Sequence, residues 1–166
     1  MVFAPRTDVF PASITELLIE HLGPLDADWR ISRSPITSPL DVGQILSVTP
    51  VADSPDQQTW ETSASRFSEP TMTNRVFSIA VACQHVDAGV GLGIVTAMGA
   101  AVNSLLVRGD ALALELGALT SVYDGHTDRV LRWRHSGWRW LGGKLGARSM
   151  FNFMGLTDLT VVTTRD

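Results

Sequence analysis

Cys83 and His85 stand two positions apart in an alternating segment, so a thiol and an imidazole share one face and could both reach a metal ion. A structural metal centre needs about four such donors, and no second Cys or His cluster stands nearby in sequence to supply the rest. His21, His126 and His135 are scattered. Gly89, Gly91 and Gly93 follow a strand-like run and open a helix-like one, as a dinucleotide-binding turn does. The fingerprint fails on spacing, because its third glycine would fall at position 94 or 96, and these are Ile94 and Thr96. Ser, His and Asp all occur, but no nucleophile elbow or other local signature groups them. The sequence therefore points away from an enzyme, a metal and a cofactor.

The richest surface chemistry lies in VLRWRHSGWRWLGGK, Val130 to Lys144. Arg132 and Arg134 flank Trp133, and Arg139 sits between Trp138 and Trp140, around a Ser136-Gly137 pair that reads as a turn. A hairpin there places guanidinium groups on one side and indoles on the other. Arg and Trp together suit a protein interface. They also suit stacking on single-stranded nucleic acid, or a core hairpin whose indoles are packed and whose arginines are solvated. Residues 129 to 148 carry six of the thirteen basic side chains and no acid. The rest of the chain is correspondingly acidic, within a net charge of −4 and a pI near 5.5. That balance argues against wholesale nucleic-acid binding and leaves a local basic surface.

The elements that must position these groups are marked by their periods. Phe77, Ile79, Val81 and Cys83 alternate with Ser78, Ala80, Ala82 and Gln84, which predicts a half-buried strand from Arg75. At Asp87, an N-cap candidate, the period changes to about 3.6. Val90, Ile94, Met98, Ala101 and Leu105 then mark a helix ended by Gly109 as a C′ glycine, with Ala97, Ala100, Ala101 and Ser104 allowing close packing on the sheet. The uncharged run Ala88 to Val107 is about long enough to span a bilayer. Its Gly, Asn and Ser content favours a buried core helix. Ser13 and Glu16 form an S-x-x-E capping box that predicts a helix from Ile14 to Leu22, stopped by a left-handed Gly23 and by Pro24.

Trp29–Ser34 and Val42–Val51 read as strands, and so do Ser149–Met154 and Leu159–Thr164, with Gly155 as a break. Asp110 to Ala118 is ambiguous: Leu112, Leu114 and Leu116 alternate while Ala, Leu and Glu favour helix, and a strand ending near Tyr123 is the preferred reading. Ala52 to Asn74 is polar and long for a passive connection, with Trp60 and Phe67 as its only aromatic side chains. It reads as a surface loop or a projecting hairpin.

With 166 residues and 45% hydrophobic content the chain closes one core, read as a single α+β domain. Its sheet is mixed and mainly antiparallel, packed by two helices, with the 52–74 loop or hairpin projecting. One cysteine excludes an intrachain disulfide framework and fits a reducing compartment. The opening MVFAPRTDVFP lacks a basic n-region followed by an apolar h-region, so it reads as a short arm and not as a signal peptide.

The FPASITELLIEHL opening, the RVFSIAVACQHVDAG strand running into GIVTAMGAAVNSLL, and the terminal LTDLTVVTT strand resemble tail terminator proteins of long-tailed bacteriophages. The resemblance covers Phe10 to Ser34 and Arg75 onward. It implies a catalytically silent virion protein, present in the host cytoplasm during assembly. Six copies would ring the end of the tail tube, stop its polymerisation and receive the head-to-tail connector. It implies partners in a second copy of the chain, the tube protein and a connector or stopper, with no membrane and no specific nucleic acid. Another neck component, such as a head completion or stopper protein, and a nucleic-acid-binding accessory domain are the alternatives. The candidate interface residues are Trp60, Phe67, Arg132, Trp133, Arg134, Trp138, Arg139 and Trp140.

Overall fold

The computed structural model describes residues 8–36, 43–55, 72–123, 125–144 and 150–165. Three long strands form its spine: β2 (Gly43–Pro55), β3 (Met72–His85) and β7 (Phe151–Arg165). β3 pairs antiparallel with both neighbours along nearly its whole length. Four shorter strands complete the sheet: β1 (Trp29–Ser32), β4 (Thr120–Tyr123), β5 (His126–His135) and β6 (Arg139–Lys144). The order is β1-β2-β3-β7-β5-β4, with β6 also on β7. Only β1 and β2 run parallel, so the sheet is mixed and mainly antiparallel, in an α+β fold.

The three α-helices among the described residues lie on one face. α1 (Phe10–Leu22) packs on β2, α2 (Ala88–Arg108) on β3 and β7, and α3 (Asp110–Ala118) on β5 and beside α1. One cluster holds this layer together: Phe10, Ile14, Leu18 and Leu22 of α1 meet Leu46, Val48, Phe77, Ile79, Val81 and Leu159 of the sheet, all essentially inaccessible. The inward set of β3 is the one its alternation predicts. At about 1.5–3 kcal/mol for each large side chain, this burial dominates the favourable side of folding.

Several local expectations change. α3 replaces the strand preferred for Asp110–Ala118. Leu112 and Leu116 are buried one turn apart whereas Leu114 is 75% exposed, a helical period that strict alternation cannot produce. Among the described residues three helices, one more than expected, therefore pack the sheet. α1 starts four residues before the expected Ile14: Asp8 Oδ1 accepts from Phe10 N at 3.0 Å and Pro11 fits the first turn. Ser13 Oγ instead donates back to Val9 O, and Glu16 pairs with Arg33, whose guanidinium holds its carboxyl below the usual range. Gly23 is right-handed and continues into a 3-10 turn, Gly23–Leu25.

Asp87 does cap α2, its Oδ1 accepting from Val90 N at 2.9 Å. Gly109 ends α2 with a negative φ. It is glycine because a Cβ would strike the Leu105 carbonyl, not because the turn is left-handed. β7 runs unbroken through Gly155.

Pairing of β2 with β3 continues to Pro55 and Thr73, so the ends of the 52–74 segment belong to an antiparallel ribbon. Its middle, with Trp60 and Phe67, lies outside the described residues, as does most of the N-terminal arm.

At that end of the sheet Arg75, 3% exposed, collects three carboxylates: Asp8 at 2.9 Å, Asp53 at 3.0 Å and Asp128 at 3.7 Å. Its Nε donates to Thr163 Oγ1, its guanidinium lies over the Phe10 ring, and Asp128 is further held by Arg165 at 2.8 Å. The cluster fastens the start of α1 to β2, β3, β5 and β7. Arg75 shares its parity with Phe77 and Ile79, so the alternation itself places a charge in the core stripe.

Candidate functional site

The Arg and Trp segment does not fold back on itself. β5 and β6 pair with successive halves of β7, His126–His135 against its C-terminal half and Arg139–Lys144 against its N-terminal half. They form one interrupted strand along β7, whose first part, His126–Arg129, is covered by β4 and whose remainder stands at the sheet edge. The Ser136-Gly137 turn expected from the sequence is a bulge: His135 pairs with Leu159 and Arg139 with Leu156, leaving three residues opposite two. The sequence could not separate a turn from a bulge, because the partner strand lies beyond the segment.

Side chains close this bulge. Asp158 N donates to Ser136 Oγ at 2.9 Å, Ser136 N donates to Asp158 O at 2.9 Å, and Thr157 Oγ1 donates to Ser136 O at 2.9 Å. With the single Thr157 hydroxyl proton committed there, His135 donates from Nε2 to Thr157 Oγ1 across 2.7 Å. Burial lowers the tendency of His135 to protonate.

Strand alternation then separates the two residue types. Arg132, Arg134 and Arg139 pair with Val162, Thr160 and Leu156, which lie on the face opposite the helices, and all three arginines are exposed. Arg30 on β1 shares that face at the other edge through its pairing with Ile45. Between the edges lie Ala80, Ala82, Met154 and Leu156, and Leu141 adds a half-exposed apolar side chain.

The indoles face the helices. Trp133 packs against the main core, and Trp138 and Trp140 stack at 5.4 Å and 15°. Trp140 reaches over Gly155 and Gly99, where any Cβ would collide with its ring. A nucleic-acid platform needs cations and stacking rings on one side. Here they stand on opposite faces.

α2 is less buried than a core helix. Gly91, Val95, Met98, Gly99 and Val102 meet the sheet, while Ala97, Ala100 and Ser104, expected to pack there, face outward with Val90, Leu92 and Val107. The helix is long and apolar enough to cross a membrane by length and composition, and only 28% of that stretch is buried. The helix layer carries the acids Glu16, Glu20, Asp26, Asp87, Asp110 and Glu115 against the bases Arg33, which pairs with Glu16, and Arg108 in the last turn of α2.

A groove of about 270 Å³ runs between α2 and the Leu25–Trp29 turn, and a smaller one of about 120 Å³ lies between the α2–α3 junction and Trp133. Cys83 is buried, with its thiol pushed up by desolvation, which makes it a packed apolar group and not a nucleophile. Among the described residues no group of three or more His, Cys, Asp or Glu side chains could hold a metal ion. No model of a known protein family matches this chain, and no curated protein matches it.

Proposed function

We propose that this chain is a structural subunit of a long-tailed bacteriophage neck: a tail terminator that assembles with itself into a ring, caps the tail tube, ends its polymerisation and presents a surface to the head connector. The observation that carries the reading is the polarity of the molecule. An Arg-bearing, apolar-floored sheet face stands at one edge, and an acidic helix layer with an uncharged outer stripe on α2 covers the other face. Surfaces of opposite character on opposite sides favour head-to-tail contacts, which close into a ring when the rotation permits. The helix–strand layout adds the family resemblance.

The nucleic-acid alternative loses support because its arginines and indoles do not share a face. Growing tail tubes in the presence of the purified protein tests the reading. Tubes that stop growing and carry a ring at one end are expected. Tubes that elongate normally, with no protein bound at their ends, would contradict it and turn the choice to another neck component.

A further inference from the structure

The groove beside α2 has a side-chain-sized volume, about 270 Å³, below the range of ordinary small-molecule pockets. Its walls are apolar: Ile94, Ala97 and Ala101 of α2 on one side, and Trp29 of the edge strand β1 on the other. Two of its polar atoms are unmatched acceptors. Among the described residues Gln44 Oε1 is buried with no hydrogen-bond partner. Asp26 commits Oδ1 to Asp28 N at 2.8 Å, which leaves Oδ2 for another donor. Trp29 Nε1 already donates to Gly23 O at 2.8 Å and offers nothing to the groove. An apolar slot ending in one carboxylate and one unmatched amide oxygen suits an arginine, whose stem is apolar and whose guanidinium only donates.

We infer that this groove receives an arginine of a second copy of the chain, Arg134 or Arg139. Charge complementarity selects the copy: the groove lies in the acidic helix layer, and these arginines stand exposed on the basic face. Position selects the geometry. The groove sits at the β1 edge and the arginines at the β5/β6 edge, the two opposite sides of the sheet. Rim into groove is therefore a heterologous contact that leaves a free groove and a free rim at the two ends of any open chain. The inference rests on the proposed self-assembly and assigns its contact.

The test is complementation by mixing. Ala97→Trp fills the groove and keeps the rim, whereas Arg134→Ser with Arg139→Ser breaks the rim and keeps the groove, with no reversed pair of charges between them. Sedimentation velocity should show each variant alone associating at least about tenfold more weakly than the wild type. An equimolar mixture should give a 1:1 complex of twice the 18.0 kDa chain mass and stop there. A second variant, Gln44→Leu, removes the unmatched acceptor together with its amide NH2 and leaves every charge in place. It should weaken association severalfold without lowering the thermal midpoint.

A mixture that stays monomeric, a wild type that never associates, or variants that assemble like the wild type would overturn the assignment. A mixed dimer from a protein that ignores tail tubes would keep the contact and remove the terminator role. A wild-type ring without complementation would keep the ring and remove the groove.

Discussion

Arg75 shows how one residue fixes a corner of the molecule. Its guanidinium is buried among Asp8, Asp53 and Asp128, and Asp128 is itself 2% exposed. Removing the cation leaves buried negative charge with Arg165 as its remaining arginine partner, the circumstance in which a lost ion-pair member is most costly. Arg75→Met should lower stability by about 3–5 kcal/mol in urea unfolding. A loss under about 1 kcal/mol, the level of an exposed pair, would mean that the cluster is effectively solvated.

His135 gives a pH-dependent counterpart. Its ring is partly buried against Trp138, Thr157 and the Ser136 bulge, and desolvation holds its pKa below the ordinary value of 6.5. Between the two values the unfolded chain binds the proton and the folded chain does not, so stability falls as pH drops below about 6.5 and is unaffected well above it. Thermal midpoints of the wild type should fall more steeply than those of His135→Gln between about pH 7 and about pH 5.5. Parallel curves would remove His135 from the acid response.

At the level of elements, what could be read from the sequence depended on whether a pattern had one structural solution. The β3 alternation followed by the α2 period had one, and Asp87 caps the helix where the period changes. Asp110–Ala118 had two, and the Leu112–Leu116 spacing together with helix propensity decided between them once α1 offered a surface to pack on. The Arg/Trp segment also had two solutions. Its alternation correctly separated guanidinium from indole, but its pairing partner was β7, a strand not yet reached in the sequence. The Arg75 cluster joins residues 8, 53, 75, 128 and 165, and no local pattern announces it.

The packing of α2 on the sheet depends on the close approach of Trp140 to Gly99. Gly99→Ala should cost about 1–3 kcal/mol by displacing that ring. In a denaturation double-mutant cycle with Trp140→Ala, most of this penalty should vanish, with a coupling of at least about 0.5 kcal/mol. Additive losses would place the strain elsewhere.

At the scale of the whole molecule, the surfaces suit assembly. The sheet separates a basic face from an acidic helix layer, and α2 leaves an uncharged stripe uncovered by the chain's own described elements. The stripe is a helix about 30 Å long. A standard interface needs about 800 Å² from each partner, so the stripe alone is small and the Arg rim must contribute for a stable contact. The resemblance to tail terminators and this polarity lead to the same expectation, a closed ring of identical subunits. Native mass by light scattering over a concentration series, with electron microscopy of the same sample, tests it most directly. A discrete closed oligomer is expected, a hexamer by family resemblance, seen as a ring with a central opening. A protein that remains at 18.0 kDa at every concentration, and also in the presence of tail tubes, would contradict it.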